Sequence, residues 1–457
     1  MLFFASALSL LLSSAVARTF VDDRGVTHEI NGKPTFVTFT HTAVTLSHFG
    51  LGKDQLVGVY GEFAHQGSDF NFEVMSEEST YPADPTPEEM EFITSVPHLS
   101  PSCQVGYCQE FDVEAFEAIK PDYLVMHGYR GELWGFNSTI EKQVVNIIGK
   151  PIIYIDVAQQ GSNCIGEENA NQCTGKSMIE VIEQYDALAM ALGIPRPASV
   201  TQDKRDMCQA AQAFQEAAEA AQSKGVRALA GFIDATPNAT SYLAYPSDDM
   251  VLRMFEELGM PILHPGSCTA ETCDTTQYFW EWIPTAALFP NCADGQAFSE
   301  CADTPLYPVD LWLYDHRTTL TFTSPDFRTA FPDLAVMQGQ YAYWPIGGGI
   351  ISYKHAAEIL NIVAPILASA ERIHPGSACT PADVSSIEHA QDGLEPGQYA
   401  CYDESVHRLE YFQCPASDDK ALSGGAISGI VIAGVVVLGA VAMFVMRQNR
   451  YGKEASS

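Results

Sequence analysis

An uninterrupted apolar segment near the C-terminus constrains the topology of this chain more than any other feature. Residues 424–446 have the sequence GGAISGIVIAGVVVLGAVAMFVM, and Arg447 and Arg450 follow it closely. A run of this length spans the roughly 30 Å hydrocarbon core of a bilayer as one helix, and the arginines favour the cytoplasmic side. The sequence therefore predicts a transmembrane helix at 424–446, a cytoplasmic tail at 447–457 and an extracellular remainder.

The N-terminal end agrees with this topology. Residues 2–12 form a short apolar core, and Ala15-Val16-Ala17 is a small-residue cleavage pattern. Both are typical of a secretory signal peptide, so we expect residues 1–17 to be removed. The sequence thus predicts a single-pass type I protein of the plasma membrane or of endosomes, whose ectodomain begins at residue 18.

The net charge bears on the class of partner. The chain has 57 Asp and Glu residues against 24 Lys and Arg residues, which gives a formal net charge of -33. Nucleic acids and anionic lipid surfaces are bound through clustered basic groups, so this balance argues against both as partners. An acidic, solvated surface suits a saline exterior.

Cysteine usage also indicates an oxidising compartment. The chain has 12 cysteines, an even number, and lacks the CxxC pairs that favour zinc. Eight of them stand in close pairs in sequence, as expected of loop-closing disulfides: Cys103 and Cys108, Cys164 and Cys173, Cys268 and Cys273, and Cys292 and Cys301. The pairing of Cys208, Cys379, Cys401 and Cys414 stays open. Asn137 and Asn238 begin acceptor sequons for N-glycosylation.

Between the apolar ends, short β-branched or aromatic runs alternate with helical patterns. This alternation predicts an α/β fold with mostly parallel strands, arranged as a first lobe at 18–198 and a second at 226–372. A Cys-containing stalk at 373–423 follows. The predicted strands are 35–39, 56–59, 123–126, 152–155, 228–233, 261–263, 311–314 and 341–343. The clearest predicted helices are 44–49, 113–119, 177–192, 250–258 and 354–370.

A long helix is predicted between the lobes, at 199–225. Residues 201–224 are rich in the helix formers Ala, Gln and Glu, and Gly225 is a typical C-cap. At about 1.5 Å per residue such a helix extends about 36 Å, which is enough to connect two lobes.

Four sequence motifs, taken in chain order, resemble those of a known protein family. They are DRGVT at 23–27, FGLGKDQLVGV at 49–59, EAFEAIKPDYLV at 114–125 and FPDLAVMQGQY at 331–341. They resemble phrases of the bacterial periplasmic binding proteins that carry iron-siderophores, haem and cobalamin, over residues 20–372. The resemblance implies two Rossmann-like lobes joined by a long helix, with a ligand cleft between them. The membrane helix and the cysteine loops depart from the bacterial pattern and resemble a eukaryotic, algal form.

The resemblance also implies where a ligand binds. In such a fold the ligand contacts loops that follow the parallel strands. A ferric hydroxamate or catecholate presents a rim of negative oxygens, which suits arginine and tyrosine, while aromatic rings cover its organic framework. The candidate ligand-binding residues are Tyr60, His127, Tyr129, Arg130, Trp134, Tyr314, Asp315, Arg317 and Trp344. Arg130 and Arg317 are the strongest of these candidates.

Other functions remain open on the same scaffold. A bare Zn²⁺, Mn²⁺ or iron ion is an alternative ligand, and His41, His65, His127 and His316 are its candidate ligands. Haem and cobalamin are further alternatives. An extracellular enzyme or an adhesive ectodomain is a function of another class, but the chain has no GxSxG elbow, HExxH helix or phosphate-binding loop.

The resulting hypothesis is a cell-surface receptor that binds an iron-siderophore-like chelate for iron uptake, without enzymatic activity. The ferric chelate is cargo, and no permanent cofactor is expected. One helix provides no transport path, so delivery requires a ferric reductase, a permease or the endocytic machinery as partner.

Overall fold

The computed structural model describes the chain between residues 18 and 401, with gaps. The described residues are 18–61, 86–100, 111–129, 132–133, 137–157, 159–160, 174–233, 240–244, 246, 249–265, 280–284, 288, 307–315, 334–345, 350–374 and 399–401. The predicted signal peptide at 1–17, transmembrane helix at 424–446 and tail at 447–457 lie outside them. Within the described part, no helix has both the length and the apolar character that a membrane crossing needs.

The chain enters the first lobe through a β-hairpin. Its strands are β1 (Arg18–Val21) and β2 (Thr27–Ile30), which pair antiparallel. Asp22 in the turn accepts hydrogen bonds from the backbone N–H groups of Arg24 and Val26, at 3.0 and 2.9 Å, and from that of Tyr154, at 3.2 Å. The carboxylate thus fixes the turn and attaches it to the first-lobe sheet.

The first-lobe sheet has a parallel centre. It consists of β3 (Phe36–Phe39), β4 (Leu56–Tyr60), β5 (Tyr123–Tyr129) and β7 (Ile153–Asp156), in the spatial order β4-β3-β5-β7. A short β6 (Glu132–Leu133) pairs antiparallel with the end of β5. These strands are buried runs of Val, Ile, Phe and Tyr, as in parallel sheets that helices cover on both faces. All four strands predicted for this lobe are confirmed.

Helices cover this sheet and follow its strands. They are α1 (Thr40–His48), α2 (Pro87–Thr94), α3 (Val113–Ile119), α4 (Ser138–Ile148) and α5 (Met178–Ala191). Asp112 caps α3 by accepting a hydrogen bond from the backbone of Ala115 at 2.8 Å, and Asn137 caps α4 in the same way. One prediction was wrong: α1 begins at Thr40 rather than at residue 44, so His41 lies in a helical turn and not in a loop.

The long helix predicted between the lobes is present. α6 (Ala198–Lys224) has 27 residues and ends at Gly225, whose φ of 72° is the left-handed conformation that glycine adopts most easily. It packs along α9 (Tyr353–Ser369) of the second lobe. The linker is therefore a long helix that forms part of the packed molecule.

The second lobe has a mixed sheet. β10 (Ala228–Phe232), β14 (Leu311–Asp315) and β15 (Tyr341–Trp344) are parallel, whereas β11 (Thr240–Ala244) and β13 (Trp280–Pro284) extend the sheet antiparallel. The spatial order is β13-β11-β10-β14-β15. The parallel strands agree with the sequence prediction, which did not include β11 or β13. The predicted strand at 261–263 is β12 (Leu263–Pro265), and it pairs with β16 (Tyr399–Cys401) in a separate two-stranded sheet.

The remaining elements lie around these sheets. β8 (Gln159–Gln160) and β9 (Thr174–Gly175) pair antiparallel in a two-stranded sheet, and both lie between β7 and α5 in the chain. The second lobe also has α7 (Met250–Glu257) and the short α8 (Leu334–Met337).

The cysteines are described only in part. Cys208 on α6 is disulfide-bonded, and Cys401 is the last residue of β16. The four predicted loop-closing disulfides stay predictions, because their cysteines all lie outside the described residues: Cys103 and Cys108, Cys164 and Cys173, Cys268 and Cys273, and Cys292 and Cys301. The sequon residue Asn238 also lies outside them, whereas Asn137 is the residue that caps α4.

One hydrophobic cluster passes through both lobes. It runs from Phe20 and Phe36 in the first lobe, through Phe214 on α6, to Leu311 and Leu360 in the second. Across the lobe boundary, the Phe49 and Tyr353 rings meet edge to face at a centroid distance of 5.9 Å, and Thr45 accepts a hydrogen bond from the backbone of Ile351 at 3.1 Å. The lobes therefore share a continuous apolar core.

Candidate ligand-binding site

The carboxyl ends of the parallel strands of the first lobe form one edge of the sheet. Phe39 and Tyr60 are partners at the ends of β3 and β4, and Gly128 and Asp156 are partners at the ends of β5 and β7. Parallel strands bring these positions together although they are far apart in sequence. This edge is where a fold of this type binds its ligand.

Aromatic rings gather at this edge around Phe39. The Phe39 ring stacks on the rings of His41 and His127, at centroid distances of 5.1 and 5.5 Å, and the edge-to-face contact with Tyr60 is also 5.5 Å. Phe111 then packs against Tyr60 at 5.5 Å. We call Phe39, His41, Tyr60 and His127 the ring cluster. It joins two predicted ligand-binding residues, Tyr60 and His127, and two predicted alternative metal ligands, His41 and again His127.

Gly61 permits this packing. Its φ is 100°, and a Cβ at this position would overlap the Phe39 ring. Both the backbone conformation and the lack of space therefore require glycine immediately after β4.

His127 is buried and held by α5. Its Nδ1 atom lies 3.1 Å from the Tyr185 hydroxyl, which is in turn 3.3 Å from the Thr42 hydroxyl on α1. Burial lowers the pKa of His127 to about 3, so the imidazole is neutral under physiological conditions. The ring cluster thus offers His127 as a neutral aromatic and hydrogen-bonding group, not as a cation.

A buried ion pair supports the neighbouring end of β7. The Lys176 ammonium lies 2.6 Å from a carboxylate oxygen of Asp23, and it donates to the backbone carbonyl of Asp156 at 2.7 Å and to the side-chain oxygen of Gln184 at 2.9 Å. Burial raises the pKa of the Asp23 carboxyl, while Lys176 lowers it in part. The Tyr154 hydroxyl donates to the Asp156 carboxylate at 3.0 Å. These bonds fix the strand end beside the ring cluster.

The candidates of the second lobe have different surroundings. Trp344 is fully buried, and its indole N–H donates a hydrogen bond of 3.0 Å to the Asp249 carboxylate, which caps α7. Tyr314 is also buried and contacts the Tyr341 ring edge to face at 5.8 Å. Both side chains are therefore part of the second-lobe interior, and the Trp344 side chain has a structural partner that the sequence did not indicate.

The other candidates are placed only in part. Tyr129 is the last residue of β5 and Asp315 the last residue of β14, whereas the sequence predicted both in the loops that follow these strands. Arg130, Trp134, Arg317, His65 and His316 lie outside the described residues. Within the described part, no group of three or more His, Cys, Asp or Glu side chains has the geometry of a metal site.

Sequence reasoning missed several residues of the first-lobe edge: Phe39, Phe111, Lys176 and Tyr185. Phe39 precedes the loop in which candidates were sought, and Tyr185 and Lys176 belong to α5 and its approach. The place of Lys176 could have been found from the sequence. It stands directly before the capping sequence SMIE at 177–180, and therefore next to the start of a helix. Nothing in the sequence relates Tyr185 to His127.

Comparison with solved structures shows a similarity of fold. The crystal structure of DesE, a ferric-siderophore receptor protein from Streptomyces coelicolor, matches with a TM-score of 0.53 and 20% sequence identity over 78% of this chain and 100% of DesE. This chain shares the fold of that receptor. The predicted α/β fold is thereby confirmed, whereas an identity this low leaves the ligand undetermined.

Two other siderophore-binding proteins are less similar. The siderophore periplasmic binding protein from the fuscachelin gene cluster of Thermobifida fusca matches with a TM-score of 0.42 and 13% identity, over 74% of this chain and 99% of its own. PiaA of Streptococcus pneumoniae, solved in complex with ferrichrome, has a TM-score of 0.41 and 14% identity over 77% and 99%. No protein-family model and no curated protein sequence matches this chain.

Proposed function

We propose that this protein is a cell-surface receptor that binds a ferric chelate at the edge of its first-lobe sheet, between the lobes. The ring cluster is the observation that carries the proposal. It places stacked aromatic side chains at the carboxyl ends of parallel strands, in a fold shared with a ferric-siderophore receptor. Phe39, Tyr60 and His127 are buried and form the packed interior of this edge, whereas the His41 ring is only partly buried. Flat aromatic surfaces such as this ring suit the organic framework of such a ligand.

The electrostatic character of the ring cluster supports a shielded ligand over a bare metal ion. His127 is neutral and its Nδ1 atom is already engaged by Tyr185. A chelate carries its metal inside its own oxygen shell, so it needs surface contacts and not protein ligands to iron. We assign the positive charge that pairs with the negative rim of the chelate to Arg130 and Arg317.

The protein binds its ferric chelate and does not catalyse a reaction on it. Polar groups near the ring cluster, such as Tyr185 with His127 and Lys176 with Asp23, are engaged with each other and hold the strand ends in place. Such an arrangement favours a rigid surface for recognition. The ferric chelate is then cargo, and no resident cofactor is needed.

The predicted signal peptide and membrane helix also indicate where in the cell the protein is located. We assign the protein to the plasma membrane, as a single-pass receptor with the lobes outside the cell, in the algal form that the sequence resembles. Release of iron, or its passage through the bilayer, then depends on a reductase, a permease or endocytosis.

Thermal unfolding of the full chain in mild detergent tests this proposal. The panel contains ferrichrome, ferrioxamine, a ferric catecholate, haem, cobalamin, and free Zn²⁺ and Mn²⁺. A ligand at 100 times its Kd should stabilise the folded state by about 2.7 kcal/mol. We expect one ferric chelate to raise Tm in the wild type and in Arg205→Ala, a matched control with an exposed arginine on α6, but not in Arg130→Ala or Arg317→Ala.

The other outcomes contradict the proposal in different ways. A rise in Tm with free metal alone would assign the site to the histidines. A rise with haem or cobalamin alone would keep the receptor but change its cargo. No rise with any compound would favour an adhesive or enzymatic use of the fold.

A further inference from the structure

Two histidine rings meet where the first and second lobes are in contact. His48 is the last residue of α1 in the first lobe, and His355 lies in the first turn of α9 in the second. Their rings pack edge to face at a centroid distance of 4.8 Å. The rings are shielded from solvent, since His355 is 2% exposed and the His48 side chain 11%. This histidine contact is therefore part of the boundary between the lobes, at the opposite end of α1 from His41.

The surroundings of His48 accommodate a positive charge. Its Nε2 atom lies 2.5 Å from the Glu89 carboxylate on α2, and that carboxylate also accepts a hydrogen bond of 2.7 Å from the Thr86 N–H. Although burial opposes ionisation, the hydrogen bond with His48 lowers the pKa of the Glu89 carboxyl to about 2, so this partner stays negative in mild acid. The last turn of a helix, where His48 lies, also favours a cation.

The surroundings of His355 oppose a positive charge. Its Nδ1 atom lies 2.9 Å from the hydroxyl of Ser352, the N-cap of α9, and the same hydroxyl accepts a hydrogen bond of 3.2 Å from the His355 N–H. The ring is thus held at the start of a helix, where the macrodipole disfavours a cation. Burial, and after it the charge of His48, lowers the pKa of His355 to about 3, so this imidazole is neutral while the contact persists.

Other hydrogen bonds cross the boundary beside the two rings. The Ile351 N–H donates to the Thr45 hydroxyl of α1 at 3.1 Å, and the Tyr353 hydroxyl donates to the Asp186 carboxylate of α5 at 3.1 Å. Both join residues next to His355 to the first lobe, so a movement of His355 away from His48 should break these bonds as well. The remaining charged groups that act on the two histidines or on their neighbours are Asp203 on α6, and Lys354 and Glu358 on α9.

We propose that the histidine contact is an acid-sensitive junction that holds the two lobes together at neutral pH and opens in acid. Glu89 is hydrogen-bonded to His48 and compensates a proton on that ring alone. A second proton would place two imidazolium rings against each other in a buried contact, where like charges repel strongly. The lobes should therefore separate at this point when His355 binds a proton. The inference concerns the contact between the lobes and does not rest on the proposed ligand.

The direction of the pH dependence follows from the neutral state of His355 in the closed junction. A histidine whose pKa is lower when buried than when exposed binds fewer protons in the buried state. Its stabilising contribution is complete above the exposed value of about 6.5, and it is lost as the pH falls toward the buried value. With a pKa of about 3 in the closed junction, the opening constant should rise about thirtyfold between about pH 7.5 and about pH 5.

Hydrogen exchange of the full chain in mild detergent, measured at these two pH values, tests this inference. The Ile351 amide is the reporter, because its hydrogen bond to Thr45 crosses the boundary. After correction for the intrinsic exchange rate, its opening constant in the wild type should rise about thirtyfold on acidification. His355→Phe keeps an aromatic ring against His48 but binds no proton, so the rise should be lost in this variant. Other titrating groups, such as His127, are common to both proteins, and the difference between the proteins isolates His355.

Tyr353→Phe is the matched control for this experiment. It removes the hydrogen bond to Asp186 at the same boundary but leaves both histidines in place. Its opening constants should be higher than those of the wild type at both pH values, and the rise on acidification should be retained. His355→Asn is the second neutral variant if His355→Phe does not fold, because its amide can still reach the Ser352 hydroxyl.

Two results would overturn the inference. A rise on acidification that is as large in His355→Phe or His355→Asn as in the wild type would place the titration at another group. Equal opening constants of the wild type at both pH values would show that the histidine contact accommodates the second proton without opening.

Discussion

Burial determines the role of each residue at the first-lobe edge. His127 and Tyr60 lie near the carboxyl ends of β5 and β4, the two strands that flank β3, and the sequence predicts both from their position alone. Their surroundings differ in a way that only the packed structure reveals, since Tyr185 comes from α5 to hold His127. A strand-end residue can thus be found from its sequence, but the group that fixes its orientation cannot.

Replacement of Gly61 should separate backbone strain from loss of space in the ring cluster. In Gly61→Ala the new methyl group meets the Phe39 ring, and the positive φ is unfavourable for alanine. Gly32→Ala is the control, because Gly32 has a φ of 66° and no atom within 4 Å of its added Cβ.

We expect Gly32→Ala to lower the free energy of unfolding by about 1 kcal/mol and Gly61→Ala by about 1–3 kcal/mol more, as measured by urea denaturation. Equal losses would mean that the Phe39 ring moves aside freely and that the ring cluster is not closely packed.

At the scale of elements, the sequence predicts helices best where local signals are strong. α3 has its predicted bounds, and α6 ends at Gly225 as its composition indicates. The sequence misses the first turn of α1, Thr40-His41-Thr42, because its β-branched residues favour helix only weakly. Tertiary packing holds this turn in the helix. β11 and β13 were missed because antiparallel extensions of a parallel sheet depend on pairing between distant segments.

The start of α7 combines a helix cap with a buried tertiary contact. Asp249 accepts hydrogen bonds from the backbone of Val251 and Leu252, at 2.9 and 3.0 Å, and from the Trp344 indole. Asp249→Ala removes the cap and leaves a buried donor without this partner, so we expect a loss of about 2–4 kcal/mol in the free energy of unfolding.

The matched control for this prediction is Asp112→Ala, which removes the cap of α3 at an exposed position and should cost about 1 kcal/mol. The double variant of Asp249→Ala with Trp344→Phe measures the coupling between cap and indole. If Asp249→Ala costs no more than Asp112→Ala, the indole contact contributes nothing to stability.

At the scale of the whole molecule, the two lobes share one apolar core through α6 and α9. This continuity predicts that they unfold together, although each lobe has its own sheet. The resemblance found in the sequence implies a helix-joined pair of lobes, and the structure has a long helix, α6, between two five-stranded sheets. The sequence does not reveal how closely the lobes are packed, since apolar residues on a helix do not identify which neighbour covers them.

The Phe255→Ala variant tests whether this shared core makes the lobes cooperative. Phe255 on α7 is fully buried and stacks on Phe214 of the connecting helix at a centroid distance of 5.1 Å. The truncation should lower the free energy of unfolding by about 3–5 kcal/mol. Because the core is continuous, amides of β3 in the first lobe should lose as much protection against hydrogen exchange as amides of β14 in the second. Loss of protection confined to β14 would instead show that the lobes unfold separately, and the connecting helix would then act as a hinge between two independently stable bodies.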